Sequence, residues 1–101
     1  MRPLLRIGGR TKYRLRYELH LEYRGSSSDY IEEAIRSGIG SSHIKLYSVS
    51  VNEDLVIIEM GFTPEFSLEQ TVRRIKMGSR NWMSKRGMDL SWTRGYFCKT
   101  I

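Results

Sequence analysis

The side chains in this 101-residue sequence best suited to chemistry are cations interleaved with aromatic rings. Arg14, Arg16 and Arg24 recur along the first third of the chain. Arg73, Lys76 and Arg80 are spaced by three and four, so on a helix they form one basic stripe. Trp82, Trp92, Arg94 and Tyr96 follow. Guanidinium and ammonium groups neutralise phosphates, and aromatic rings stack on unpaired bases. These cations, with Trp92 and Tyr96, are therefore the candidate nucleic-acid-binding residues. The only histidines are His20 and His43. They fall on different predicted strands and do not by themselves make a divalent-metal site. Six tyrosines are present, and the alternation of Tyr13, Tyr17 and Tyr23 with leucine marks these three as core members before nucleophiles. Cys98 is the only cysteine, which excludes an internal disulfide framework and fits a reducing compartment. Its position in a strand reads as a small packed residue and not a reactive thiol.

The net charge of +6 is unevenly spread. Residues 1–24 carry seven basic and two acidic groups, residues 25–70 two basic and eight acidic, and residues 71–101 eight basic and one acidic. Both ends are cationic and the middle is anionic. If the ends meet in space they build one positive surface, as a polyanion binder requires. Apolar content of 40% and charged content of 28% are ordinary for a globular domain. The length suits a single core. No apolar run approaches the roughly 20 residues that span a bilayer, and no signal-like segment follows Arg6. A cytoplasmic protein without membrane contact is expected.

The elements that must position these residues follow from periodicity. Residues 1–10, with Pro3 and Gly8-Gly9, read as a flexible basic arm, and residues 11–101 as one domain. Tyr13 to Arg24 alternates without a break. Tyr13, Leu15, Tyr17, Leu19, Leu21 and Tyr23 take one face of a long strand, and Arg14, Arg16, Glu18, His20, Glu22 and Arg24 the other. After a Gly25-Ser26-Ser27-Ser28 turn, Asp29 is the expected helix cap, with Glu32 three residues on. Ile31, Ala34 and Ile35 form that helix's buried stripe, and Gly38 and Gly40 are expected to end it. Ser42–Val51 is a second strand, Asn52-Glu53-Asp54 a tight turn, and Leu55–Phe62 a third strand. On the third strand Val56, Ile58, Met60 and Phe62 face the core, and Leu55, Ile57 and Glu59 face the open side. Ser67 caps the second helix, with Gln70 completing the box. Leu68, Val72, Ile75, Ser79, Trp82 and Met83 make its apolar stripe, and it runs to about Arg86 before Gly87. Trp92 to Ile101 reads as a final strand or hairpin arm. The order β-α-β-β-α-β is that of an α+β, ferredoxin-like sandwich with both helices on one face of an antiparallel sheet. Its other face is left open, where such folds commonly bind nucleic acid.

Several short motifs occur along this frame. Glu22-Tyr23-Arg24 ends the first strand, and Thr63-Pro64-Glu65-Phe66-Ser67 enters the second helix. That helix contains Lys76-Met77-Gly78-Ser79-Arg80, and the chain closes on Trp92-Thr93-Arg94-Gly95-Tyr96-Phe97-Cys98-Lys99-Thr100-Ile101. In order and spacing over about 90 residues they resemble the single-tyrosine HUH transposases of the insertion-sequence 200/605 type. The resemblance implies a small single-stranded-DNA-binding scaffold, usually a homodimer, that recognises hairpin ends of mobile elements. It also implies cleavage with a magnesium or manganese ion held by two histidines of the third strand.

The sequence departs from that family where the metal is held. The third strand of the family reads Asp-His-hydrophobic-His; here it reads Asp54-Leu55-Val56-Ile57. Leu55 and Ile57 have no lone pair to donate. Arg16 aligns with a further histidine of the family, and the tyrosine helix that follows Thr-Val in the family lies beyond Ile101. No catalytic residue, metal ligand or cofactor is assigned to this sequence. The expected function is DNA binding, of single strands or hairpins, without cutting. A homodimeric interaction module that buries the Leu55/Ile57 surface is the alternative, and an enzyme completed in trans by a partner a third. An RNA-recognition motif shares the topology, but its third strand needs exposed aromatics that Leu55 and Ile57 do not provide.

Overall fold

The computed structural model of the chain describes residues 16–25, 28–40 and 43–101. The predicted arm over 1–10, Arg14, and the predicted first residues of the leading strand lie outside them. The first strand, β1 (Tyr17–Gly25), holds the centre of the sheet. It pairs antiparallel with β3 (Leu55–Phe62) on one side, and with β4 (Leu90–Trp92) and β5 (Phe97–Thr100) on the other. β2 (Ile44–Asn52) flanks β3, so the order is β2-β3-β1-β4, with β5 also on β1. Two helices, α1 (Ile31–Gly38) and α2 (Leu68–Ser84), complete the predicted β-α-β-β-α-β order. No helix among the described residues is long and apolar enough to cross a membrane.

Register decides what each face presents. Leu19 pairs with Ile58 and Leu21 with Val56, so the apolar sides of β1 and β3 coincide. Leu19, Leu21, Val56, Ile58 and Met60 are fully buried there. Ile31, Ala34 and Ile35 of α1, with Val72, Ile75 and Met83 of α2, close over them. Each such valine, leucine, isoleucine or methionine contributes about 1.5–3 kcal/mol on burial. The opposite face carries Glu18, His20 and Glu22 against Glu59, Ile57 and Leu55. The β2–β3 hairpin turns through Glu53-Asp54, with Asp54 in the left-handed region at φ 66°, and Tyr23 Oη donates to Asn52 O at 2.9 Å to pin it.

The second helix starts as its sequence indicates. Ser67 Oγ accepts from the Gln70 amide at 3.0 Å, and Gln70 Oε1 accepts from the Ser67 amide at 2.8 Å. Its last helical residue is Ser84, and Gly87 follows at φ 72°. Two local expectations are corrected. Asp29 does not cap α1: it lies in a 3-10 turn, Ser28–Tyr30, and Tyr30 takes the cap position without a side-chain bond. As expected, α1 ends at Gly38, with Ile39 as its C-cap and Gly40 in the left-handed region at φ 57°. Gly38 is also a crossing point. A Cβ there would collide with the Gly78 carbonyl, and one on Gly78 with the Gly38 carbonyl, so two backbones touch. The closing segment is not one strand. β4 begins at Leu90, and Thr93 to Tyr96 leave the sheet before β5 returns to β1.

Candidate nucleic-acid interface

The open face of the sheet is built from the outward positions of β1, β3 and β5. Near its upper end Arg16 lies 3.8 Å over the Tyr47 ring and pairs with Glu59 at 3.2 Å. Tyr47 reaches this face because the β2 register shifts between Leu46 and Ser48, the extra residue of a bulge. In the middle His20 Nε2 meets Glu18 Oε2 at 2.7 Å, and Lys99 lies 3.9 Å from the same carboxylate. The His20 bond, before the charge of Lys99, holds the Glu18 carboxyl below its usual range. Phe97, directly across from His20 in the register, meets its ring edge-on at 5.2 Å.

At the lower end the excursion of residues 93–96 walls off a cleft of about 410 Å³. His20, Glu22, Leu55 and Phe97 border it from the strands, and Arg94 and Tyr96 from the excursion. Tyr96 and Phe97 are 43% and 57% exposed, so their rings are available to a ligand. The excursion is held in place by Lys76, whose Nζ donates to Thr93 O and Gly95 O, both at 3.0 Å. Burial lowers the pKa of this ammonium, but the two carbonyls lie within bonding distance of it. Gly95 takes φ 84°, a conformation that a side chain would strain.

The structure distributes the sequence-predicted residues over several places. Arg94 and Tyr96 line the cleft, and Arg16 sits apart on the same face with Tyr47 and Glu59. Arg24 is exposed beyond it at the end of β1. Lys76 stands behind the cleft, bound to its backbone. Trp92 is half-buried on the core side. Its Nε1 donates to Ser79 Oγ at 2.9 Å, and its ring meets Tyr23 edge-on. Arg73 and Arg80 are exposed on the outer side of α2. The two cationic ends do meet, through the β1–β4 and β1–β5 pairings. Their charges do not fuse into one described surface, because Arg16 and Lys99 face carboxylates and Lys76 faces carbonyls. Sequence reasoning missed Phe97 as a cleft residue. The available signal was its alternation with Cys98, which pairs with buried Leu19.

With that geometry in view, the sequence model of the family described as "Transposase IS200 like" matches residues 10–101. The chain belongs to the IS200-like transposase family. No curated protein matches it closely enough to count as a relative. Leu55 and Ile57, the positions that the sequence resemblance assigns to a metal, are the two half-buried aliphatics of β3 on the open face. The nearby His20 is committed to Glu18. No cluster of three His, Cys, Asp or Glu side chains able to hold a metal occurs among the described residues. The donor set at this place in the transposase scaffold does not fit a divalent cation.

Proposed function

We propose that this transposase-like chain binds single-stranded or hairpin DNA in the cytoplasm without cutting it. The observation that carries the reading is the cleft at the family's metal position. Its border joins exposed Tyr96 and Phe97 rings to Arg94 and an aliphatic Leu55. Rings and aliphatic surface receive unpaired bases, and a guanidinium receives the phosphate between them. Phosphodiester cleavage by this family depends on a polarising metal, and Leu55 and Ile57 supply no ligand for one.

The test is fluorescence anisotropy of a labelled oligothymidine and a labelled hairpin across a salt series. Binding should weaken steeply as salt rises, and Phe97→Ala should weaken oligothymidine binding roughly tenfold. No binding at low salt, or a flat salt response, overturns the reading. Nicking of the hairpin by purified protein in magnesium or manganese overturns the non-cutting part.

A second reading is favoured by the same face. Leu55 and Ile57, with Phe97 at 57% exposure, form an apolar strip suited to a second copy of the chain. Leu55→Lys should then abolish assembly in analytical ultracentrifugation, and DNA binding should be kept or improved.

A further inference from the structure

Three carboxylates stand on the open face of β1 and β3, and two of them are matched by cations. Glu59 pairs with Arg16 at 3.2 Å, and Glu18 meets His20 at 2.7 Å and Lys99 at 3.9 Å. Glu22, the third, enters no ion pair among the described residues. It lies opposite Leu55 in the β1–β3 register and borders the cleft with it. Its main chain is tied to the far wall, since Glu22 O accepts the Thr93 amide at 2.9 Å and the Thr93 hydroxyl at 3.3 Å. The acid and the excursion that carries Arg94 and Tyr96 are thus held in one frame.

An unmatched carboxylate is costly in a cleft that receives a polyanion, because it repels every phosphate. It becomes favourable where the ligand brings N–H donors to it. An ionised carboxylate only accepts, and through two oxygens, so its best partner offers two adjacent donors. Single strands leave the Watson–Crick edges of their bases free. On that edge guanine alone presents two neighbouring donors, N1–H and the N2 amino group. Adenine and cytosine present one amino group beside a ring nitrogen that accepts, and the accepting lone pair repels the carboxylate. Thymine places its single N3–H between two carbonyl oxygens. We infer that the cleft selects guanine, with the Glu22 carboxylate accepting from N1–H and N2–H of a base stacked on the exposed Tyr96 or Phe97 ring. Arg94 then serves the adjoining phosphate, and Glu22 supplies the specificity that rings and guanidinium lack.

The inference rests on the cleft being a single-strand site, and its test separates the two. Labelled oligothymidines carrying one central guanine, adenine, cytosine or hypoxanthine are titrated by fluorescence anisotropy against wild-type and Glu22→Gln protein. The wild type should bind the guanine oligomer roughly tenfold tighter than plain oligothymidine, within the range of one bidentate base contact. Hypoxanthine keeps N1–H and lacks only the N2 amino group, so it should lose most of that gain. Adenine and cytosine should bind near the thymine level. Glu22 is exposed and the substitution keeps its size, so Glu22→Gln should fold as the wild type does by circular dichroism. The variant should no longer favour guanine, and should bind plain oligothymidine as well or better, because a charge that repels phosphates is gone. Equal wild-type affinity for all the oligomers, a preference for another base, or a guanine preference that survives Glu22→Gln overturns the inference and leaves the cleft standing. A wild-type protein that binds none of the oligomers at low salt overturns the single-strand reading, and the inference with it.

Discussion

Ser79 serves two elements with one hydroxyl. It is fully buried in α2, donates within the helix toward Ile75 O at 2.6 Å, and accepts the Trp92 indole N–H at 2.9 Å. Ser79→Ala leaves that N–H without a partner under the helix, and a stranded donor costs about 1–3 kcal/mol. Urea denaturation should show a loss in this range, and Trp92→Phe in the Ser79→Ala background should recover part of it by removing the orphaned group. His43 makes a second residue-scale prediction. Its ring stacks on Phe66 at 3.7 Å, and its Nε2 meets Thr71 Oγ1 at 3.2 Å. Burial first, then the positive Arg74, hold its pKa below the ordinary 6.5, against a smaller opposing pull from Glu65. The unfolded chain therefore binds the proton before the folded one does. The stability from neutral His43 is present above pH 6.5 and is lost as pH falls through the lower folded value. His43→Asn should remove this component. The stability lost between roughly pH 7 and roughly pH 5 should then be smaller in His43→Asn than in wild type, measured by urea melts at each pH.

At the scale of elements, the excursion between β4 and β5 depends on a residue from α2. Lys76→Met removes both bonds to Thr93 O and Gly95 O while keeping most of the stem volume. Amide exchange over residues 93–96 should accelerate, and oligothymidine binding should weaken by several-fold, because Tyr96 and Phe97 lose their support. The salt slope should stay unchanged, which separates a positioning residue from one that neutralises a phosphate; a slope reduced by about 1 would assign Lys76 to phosphate contact instead. Lys76 also illustrates what could be read in the sequence. Its helical spacing with Arg73 and Arg80 was legible, but its carbonyl partners are 17 and 19 residues further on and become visible only when the chain folds. Signals within one element were clear: the Ser67/Gln70 box, the alternation of β1 and β3, and the outward Leu55 and Ile57. Signals between elements were not. Gly38 reads locally as a helix end, and only the approach of Gly78 shows that it is a crossing as well.

At the scale of the molecule, the open face of the sheet is offered to two kinds of partner, a strand of DNA and a second copy of the chain. Leu55 borders the cleft with Arg94, Tyr96 and Phe97, and it also shares the outward side of β3 with Ile57. A DNA strand and a partner subunit seated on this face would therefore compete. In analytical ultracentrifugation, saturating oligothymidine should shift the protein toward the monomer, and Leu55→Lys should remove the shift by removing assembly. A dimer that persists unchanged in saturating oligothymidine would mean that the two partners use different surfaces of the molecule.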